Sequence, residues 1–188
     1  IGLPLGMYAG LKPRSFAARG IMAGSILGFS VPNFWQAIVL IMVFAVTLGW
    51  LPVSGRGQVG EFMGIRSSLF TLDGLRHMAL PAINLAIGHM ALVIRLARSG
   101  YLEVQSQDFV RFARAKGLRE RRVVLVHILR NILIPIVTVV GMSLGGLIAF
   151  AVVTESIFAW PGMGKLIIDS IRLLDRPVVV AYLIVVVV

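Results

Sequence analysis

From Gly20 to Gly55 the sequence runs without one Lys, Arg, Asp, Glu or His. In water so long an uncharged stretch would have to be buried on every side, whereas crossing a bilayer asks for about 20 mainly apolar residues. Three more stretches are free of formal charge with histidines neutral: Ile1–Leu11, His77–Ile94 and Asn131–Thr154, and a further one begins at Pro177. Only 14% of the residues are charged, against about 25% in soluble domains. The predicted class is therefore all-α, a polytopic transmembrane helix bundle with the lipid bilayer as its solvent. Ile1–Leu11 and the stretch from Pro177 to Val188 are each too short to cross, so both are read as half-helices and the chain as truncated at both ends. Pro32 predicts a kink within the second stretch, and Trp50 with Pro52 marks its outer end, an aromatic at headgroup level beside a helix breaker.

The net charge of +10 invites a nucleic-acid reading, which the arrangement argues against. The cations lie between apolar spans, as in the positive-inside pattern, and do not line one face of a soluble domain. If Leu11–Arg19 is cytoplasmic, alternation makes 95–130 cytoplasmic too. Lys and Arg then divide as 12 on that side and 6 on the other, which sets the predicted orientation. No nucleic-acid partner is expected. With no cysteines, disulfides and thiolate metal sites are excluded.

No residues in this pattern point to catalysis. Ser54 and Ser143 have no His or acid nearby in sequence, so no nucleophile–base pair is expected. No metal site is expected either, since none of His77, His89 and His127 has an i+3 or i+4 partner of metal-ligand type. His89 and Asn84 are polar groups at membrane depth, which implies either a place along a pathway or hydrogen bonding between helices. Gly141 and Gly145 form a GxxxG spacing that favours close helix packing, within the chain or against another subunit. The Trp-Pro-Gly-Met-Gly run at 160–164 lacks the strand and the Lys-Ser/Thr of a phosphate loop and is read as an external turn.

The connection 95–130 is the most informative segment. Ser106 and Asp108 are candidate N-caps. The helix Phe109, Val110, Arg111, Phe112, Ala113, Arg114, Ala115 and Lys116 follows, ended by Gly117. Val110, Ala113 and Gly117 share one small apolar face ringed by cations. On pattern alone this helix could lie on anionic lipid or dock against a protein.

The run from Asp108 to Leu118, Asp-Phe-Val-Arg-Phe-Ala-Arg-Ala-Lys-Gly-Leu, resembles the EAA loop of ABC importer permeases, as do His127–Asn131 and Ile134–Pro135. The similarity is strongest to the dipeptide/oligopeptide/nickel branch. The segments 29–35, 48–55, 155–164 and 175–177 also resemble that branch, so the likeness extends over the whole chain. It implies a type I permease fold over 1–188, with 95–130 as the cytoplasmic connection carrying the coupling helix. It implies a second permease subunit, two cytoplasmic ATPase subunits that bind ATP and magnesium, and an extracytoplasmic solute-binding protein. No cofactor is implied in this chain. The cargo implied is peptides or related solutes, nickel chelates among them. By position, Arg111-Phe112-Ala113 stands in the Glu-Ala-Ala triplet and Gly117 on its glycine. Arg111 and Arg130 depart from the family's Glu and Pro. The rival classes are an intramembrane enzyme and a membrane scaffold; the long basic connection favours the permease.

Overall fold

The computed structural model describes residues 1–187. Its elements are the helices α1 (Gly2–Leu11), α2 (Phe16–Ser30), α3 (Asn33–Leu40), α4 (Leu72–Val104), α5 (Asp108–Ala115), α6 (Glu120–Arg122), α7 (Leu129–Ile157), α8 (Met163–Arg172) and α9 (Arg176–Val187). Two π-helical segments, Ile41–Thr47 and Val123–Ile128, continue α3 and lead into α7. A small antiparallel hairpin, β1 (Gly60–Phe62) with β2 (Ile65–Ser67), interrupts the helices. Its tight turn uses Met63 and Gly64, both at positive φ, as a two-residue hairpin of the mirror-image turn type requires.

Two helices are long and apolar enough to cross a membrane, Leu72–Val104 and Glu120–Ile148. A third is available if Phe16–Ser30 and Asn33–Thr47 are taken as one broken span. At Pro32 the structure goes further than the expected kink and ends one helix to begin another. The ring disfavours helical geometry in the residue before it, and Val31 accordingly lies at φ −82°, ψ 128°. The helix does end near Trp50: it stops at Thr47, Gly49 turns the chain at φ 63°, and Trp50 is exposed.

The connection 95–130 is itself largely helical. Helix α4 continues past Arg95 to Val104, reaching about 50 Å at 1.5 Å per residue. Only 105–119 remains between the two long helices. Arg95 is accommodated by lying over the Phe29 ring, 4.1 Å from its centroid, which keeps a cation beside an apolar helix.

The chain divides into two compact units. The first combines Ile1–Val31 with Ile87–Leu144. Here the glycines of α1 set the packing. A Cβ on Gly2 would meet Val93 at 3.2 Å, one on Gly6 would meet Ala97 at 2.6 Å, and one on Gly10 would meet Tyr101 at 2.8 Å. Because both sets of numbers rise together, α1 runs parallel to α4 at backbone-contact range. The core beyond them consists of Ala97, Tyr101, Val110, Ala113, Val123, Ile128, Ile132 and Ile136.

The second unit combines Pro32–Ala86 with the described part of Gly145–Val188. Its core is built on Ala37, Leu80 and Phe158, with Leu40, Ile41, Phe44 and Leu51 against them. After α7 the chain turns sharply through Ala159 (φ 48°). The Glu155 carboxylate then reaches the start of α8, accepting a hydrogen bond of 2.8 Å from the Lys165 N–H. That supplies a negative group and an acceptor where a helix has unpaired donors. Gly164 is required by close approach, since a Cβ there would lie 2.6 Å from the Val152 Cα.

Candidate functional site

Helix α5 begins where Gln107 leaves extended geometry (φ −70°, ψ 149°). Neither expected cap acts: Ser106 Oγ donates to the Glu103 carbonyl at 2.7 Å, and Asp108 is the first helical residue. From that place its carboxylate still complements the helix dipole and lies 3.8 Å from Arg111. The C-terminus matches expectation closely. Gly117 has φ +76°, its N–H donates to the Arg114 carbonyl at 2.9 Å, and the Leu118 N–H donates to Ala113 at 3.3 Å. This pair of bonds is a Schellman ending, which needs a left-handed residue at the glycine position.

The orientation of α5 corrects the reading of its faces. Val110 and Ala113 do not await a partner: they are 0% and 5% exposed, packed with Tyr101, Val123 and Ile128. Small apolar residues three apart allow close approach by whatever lies on that side, and here it is the chain's own helices. Gly117 is exposed, with open space where a Cβ would be. The free face of α5 is a different one, carrying Phe109 and Phe112, 43% and 61% exposed. Arg111, Arg114, Ala115 and Lys116 surround them, all exposed. The Lys116 ammonium lies 4.5 Å from the Phe112 ring centroid.

Arg114 fastens the loop after α5. It donates to both carboxylate oxygens of Glu120, from Nε at 3.1 Å and Nη2 at 2.7 Å. That hydrogen bonding is the main cause that raises the Arg114 pKa above its ordinary value, against the opposing effect of burial. The pair is partly exposed, so its value is in fixing geometry more than in stability. Helix α5 is thus a short amphipathic element held by two buried residues, a glycine-ended turn and one bidentate ion pair, with two aromatic rings and a cationic rim facing outward.

The other two site residues come apart. Asn84 is 2% exposed, and its amide nitrogen donates to Asn33 Oδ1 and, at 3.2 Å, to Thr154 Oγ1. It therefore joins α3, α4 and α7 within the second unit, a helix-contact role. Its Oδ1 is buried with no hydrogen-bond partner among the described residues. His89 is half-buried five residues further along α4, and at about 100° per residue the two side chains leave the helix on different faces. Asn33 and Thr154 escaped the sequence reading; their only signal was a polar side chain among apolar neighbours. Asp73, four residues before His77, is a further partner that the forward spacing of the histidines does not reveal. Its Oδ1 lies 3.6 Å from His77 Nδ1, and its Oδ2 accepts from the Gln58 N–H at 2.8 Å. The external-turn segment at 160–164 is the link into α8 described above.

The model of the family "binding-protein-dependent transport system inner membrane component" matches residues 2–188. A di/tripeptide transport system permease protein of Pseudomonas aeruginosa is 48% identical, over 95% of this chain and 56% of that protein. An oligopeptide transport system permease protein of Bacillus subtilis is 42% identical, over 96% and 55% respectively. A dipeptide transport system permease protein of Escherichia coli is 40% identical, over 95% and 57%. The chain thus spans a little over half the length of these curated relatives. The match runs through the spans, α5 and the link into α8 alike, and the chain belongs to the family of binding-protein-dependent transport system inner membrane components.

Proposed function

We propose that this chain is part of the permease subunit of an ATP-driven peptide importer, and that α5 is the docking helix for a cytoplasmic ATPase subunit. The observation that carries the reading is the division of labour on α5. Its small residues lock it to the ends of the apolar helices, and Phe109 and Phe112 stand outward within a basic rim. Aromatic residues and arginine are the types that anchor protein interfaces. An uncharged headgroup-level helix would not need so rigid a mount. The 12-to-6 distribution of Lys and Arg supports a cytoplasmic side for α5. ATP and magnesium belong to the ATPase subunits in this scheme, and hydrolysis with them. A second permease subunit and an extracytoplasmic binding protein complete the importer. The names of the relatives favour peptides as cargo over nickel chelates.

The test is a Phe112→Asp change in the subunit at full length. Phe112 is 61% exposed, so membrane abundance stays normal while the ATPase no longer co-purifies and peptide uptake is lost. A helix bound to lipid gives another result: weakened membrane attachment of the loop with the ATPase retained. Wild-type co-purification together with wild-type uptake overturns the assignment of α5. Changing Ala113, within the core, is the wrong probe because it strains the subunit itself.

A further inference from the structure

We propose that the turn between α1 and α2 is a binding site for the headgroup of an anionic phospholipid. Lys12, Arg14 and Arg19 are all exposed, and among the described residues none of them is paired with a carboxylate. No Asp or Glu occurs before Glu61, so the flanking helices bring no compensating charge. The same turn carries two apolar side chains in the open, Leu11 at 45% and Phe16 at 88% exposed. The cations lean over aromatic rings: Lys12 Nζ is 6.0 Å from the Tyr8 centroid and the Arg19 guanidinium 5.6 Å from that of Phe16.

The turn is also a fixed structure. Gly10 packs on Tyr101 just before it, and Ser15 caps α2 by accepting from the Ala18 N–H at 3.1 Å. Residues 1–11 and 20–55 carry no charge, so the three cations sit at the boundary between two uncharged stretches, at headgroup depth. A bilayer supplies a phosphate at that level and acyl chains beside it, complementing the cations and the exposed Leu11 and Phe16 respectively. The site is separate from α5 and does not rest on the docking proposal.

The experiment is native mass spectrometry of the full-length subunit extracted from nanodiscs of phosphatidylcholine with phosphatidylglycerol. The wild type retains phosphatidylglycerol selectively. Added salt releases it, because screening weakens contacts to exposed cations. The variant K12Q/R14Q/R19Q loses that selectivity on the order of a hundredfold, about fivefold for each cation at an anionic surface, and F16A loses part of it. Equal retention in the triple variant, or retention indifferent to salt in the wild type, overturns the proposal. So does release by inorganic phosphate beyond that by chloride at matched ionic strength, which assigns the site to free phosphate. If the triple variant loses the co-purifying ATPase with phosphatidylglycerol unchanged, the turn is a protein contact and the proposal fails. Where the triple variant does not insert, the single variants K12Q and R14Q each lose about fivefold in selectivity, and unchanged selectivity in both overturns the proposal.

Discussion

Helices α1 and α7 carry the same sequence signal with opposite outcomes. Both place glycines four residues apart in an apolar run: Gly2, Gly6 and Gly10 in one, Gly141 and Gly145 in the other. In α1 every one of these glycines is buried against α4, with neighbours inside 3.3 Å of where a Cβ would stand. In α7 both are exposed and nothing lies within 4 Å. A small-residue spacing thus declares that something comes close without declaring what does. For α1 it is this chain; for α7 the described residues offer no neighbour, so its groove is free for lipid or another subunit.

The strongest way to break the comparison is Gly6→Leu. Even the first carbon of the new side chain would lie 2.5 Å from the Ile94 carbonyl oxygen and 2.6 Å from the Ala97 Cβ. With backbone on one side, α1 has to leave α4. The expected cost is about 4 kcal/mol or more, in the range reserved for severe core lesions, and is read as loss of the folded subunit from the membrane fraction. Wild-type abundance would show that the α1 contact does not matter. Gly10→Ala tests the same stripe more gently. Its Cβ would meet the Tyr101 ring at 2.8 Å, and Tyr101 is 1% exposed, so the ring has little room to yield. A loss of about 1–3 kcal/mol is expected, measured as a lower thermal midpoint in detergent.

Gly145→Ala should have the smallest effect, and its sign is informative. In the isolated subunit it meets open space and gains helix propensity, worth up to about 1 kcal/mol, so the thermal midpoint holds or rises. In an assembly with another membrane subunit the same change lowers stability if that subunit fills the groove. A drop in the isolated subunit would show that α7 has a neighbour within the chain and would end the contrast with α1.

Much of the architecture was legible in the sequence because charge placement is a bulk property. The uncharged stretches became the apolar helices, and Gly117 took the left-handed conformation that its place after Lys116 demanded. What was not legible depended on distant partners. Asn84 finds Asn33 and Thr154 at separations of 51 and 70 residues, and no local pattern announces them. The inward turn of Val110 was hidden for a related reason: small apolar residues suit a contact with the chain itself as well as one with a neighbour. Helix α4 runs on past Arg95 because charge placement marks the end of an apolar stretch and not the end of a helix, arginine being a good helix former. At Pro32 the local rule was right in kind and too mild in degree.

The two π-helical segments bear on how this sequence can change length. A π-helix bonds each residue to the fifth along the chain, holding about one residue per turn more than α-helical winding uses. One residue removed between Val123 and Ile128 can be absorbed by rewinding that segment, leaving Tyr101 and Ile132 each on its present face. The same removal between Ala91 and Gly100 would rotate Ala97 and Tyr101 off the glycines of α1 by about 100°. Two segments of this chain, 41–47 and 123–128, can therefore absorb a change in length, and α4 beyond Gly88 is where such a change cannot be hidden.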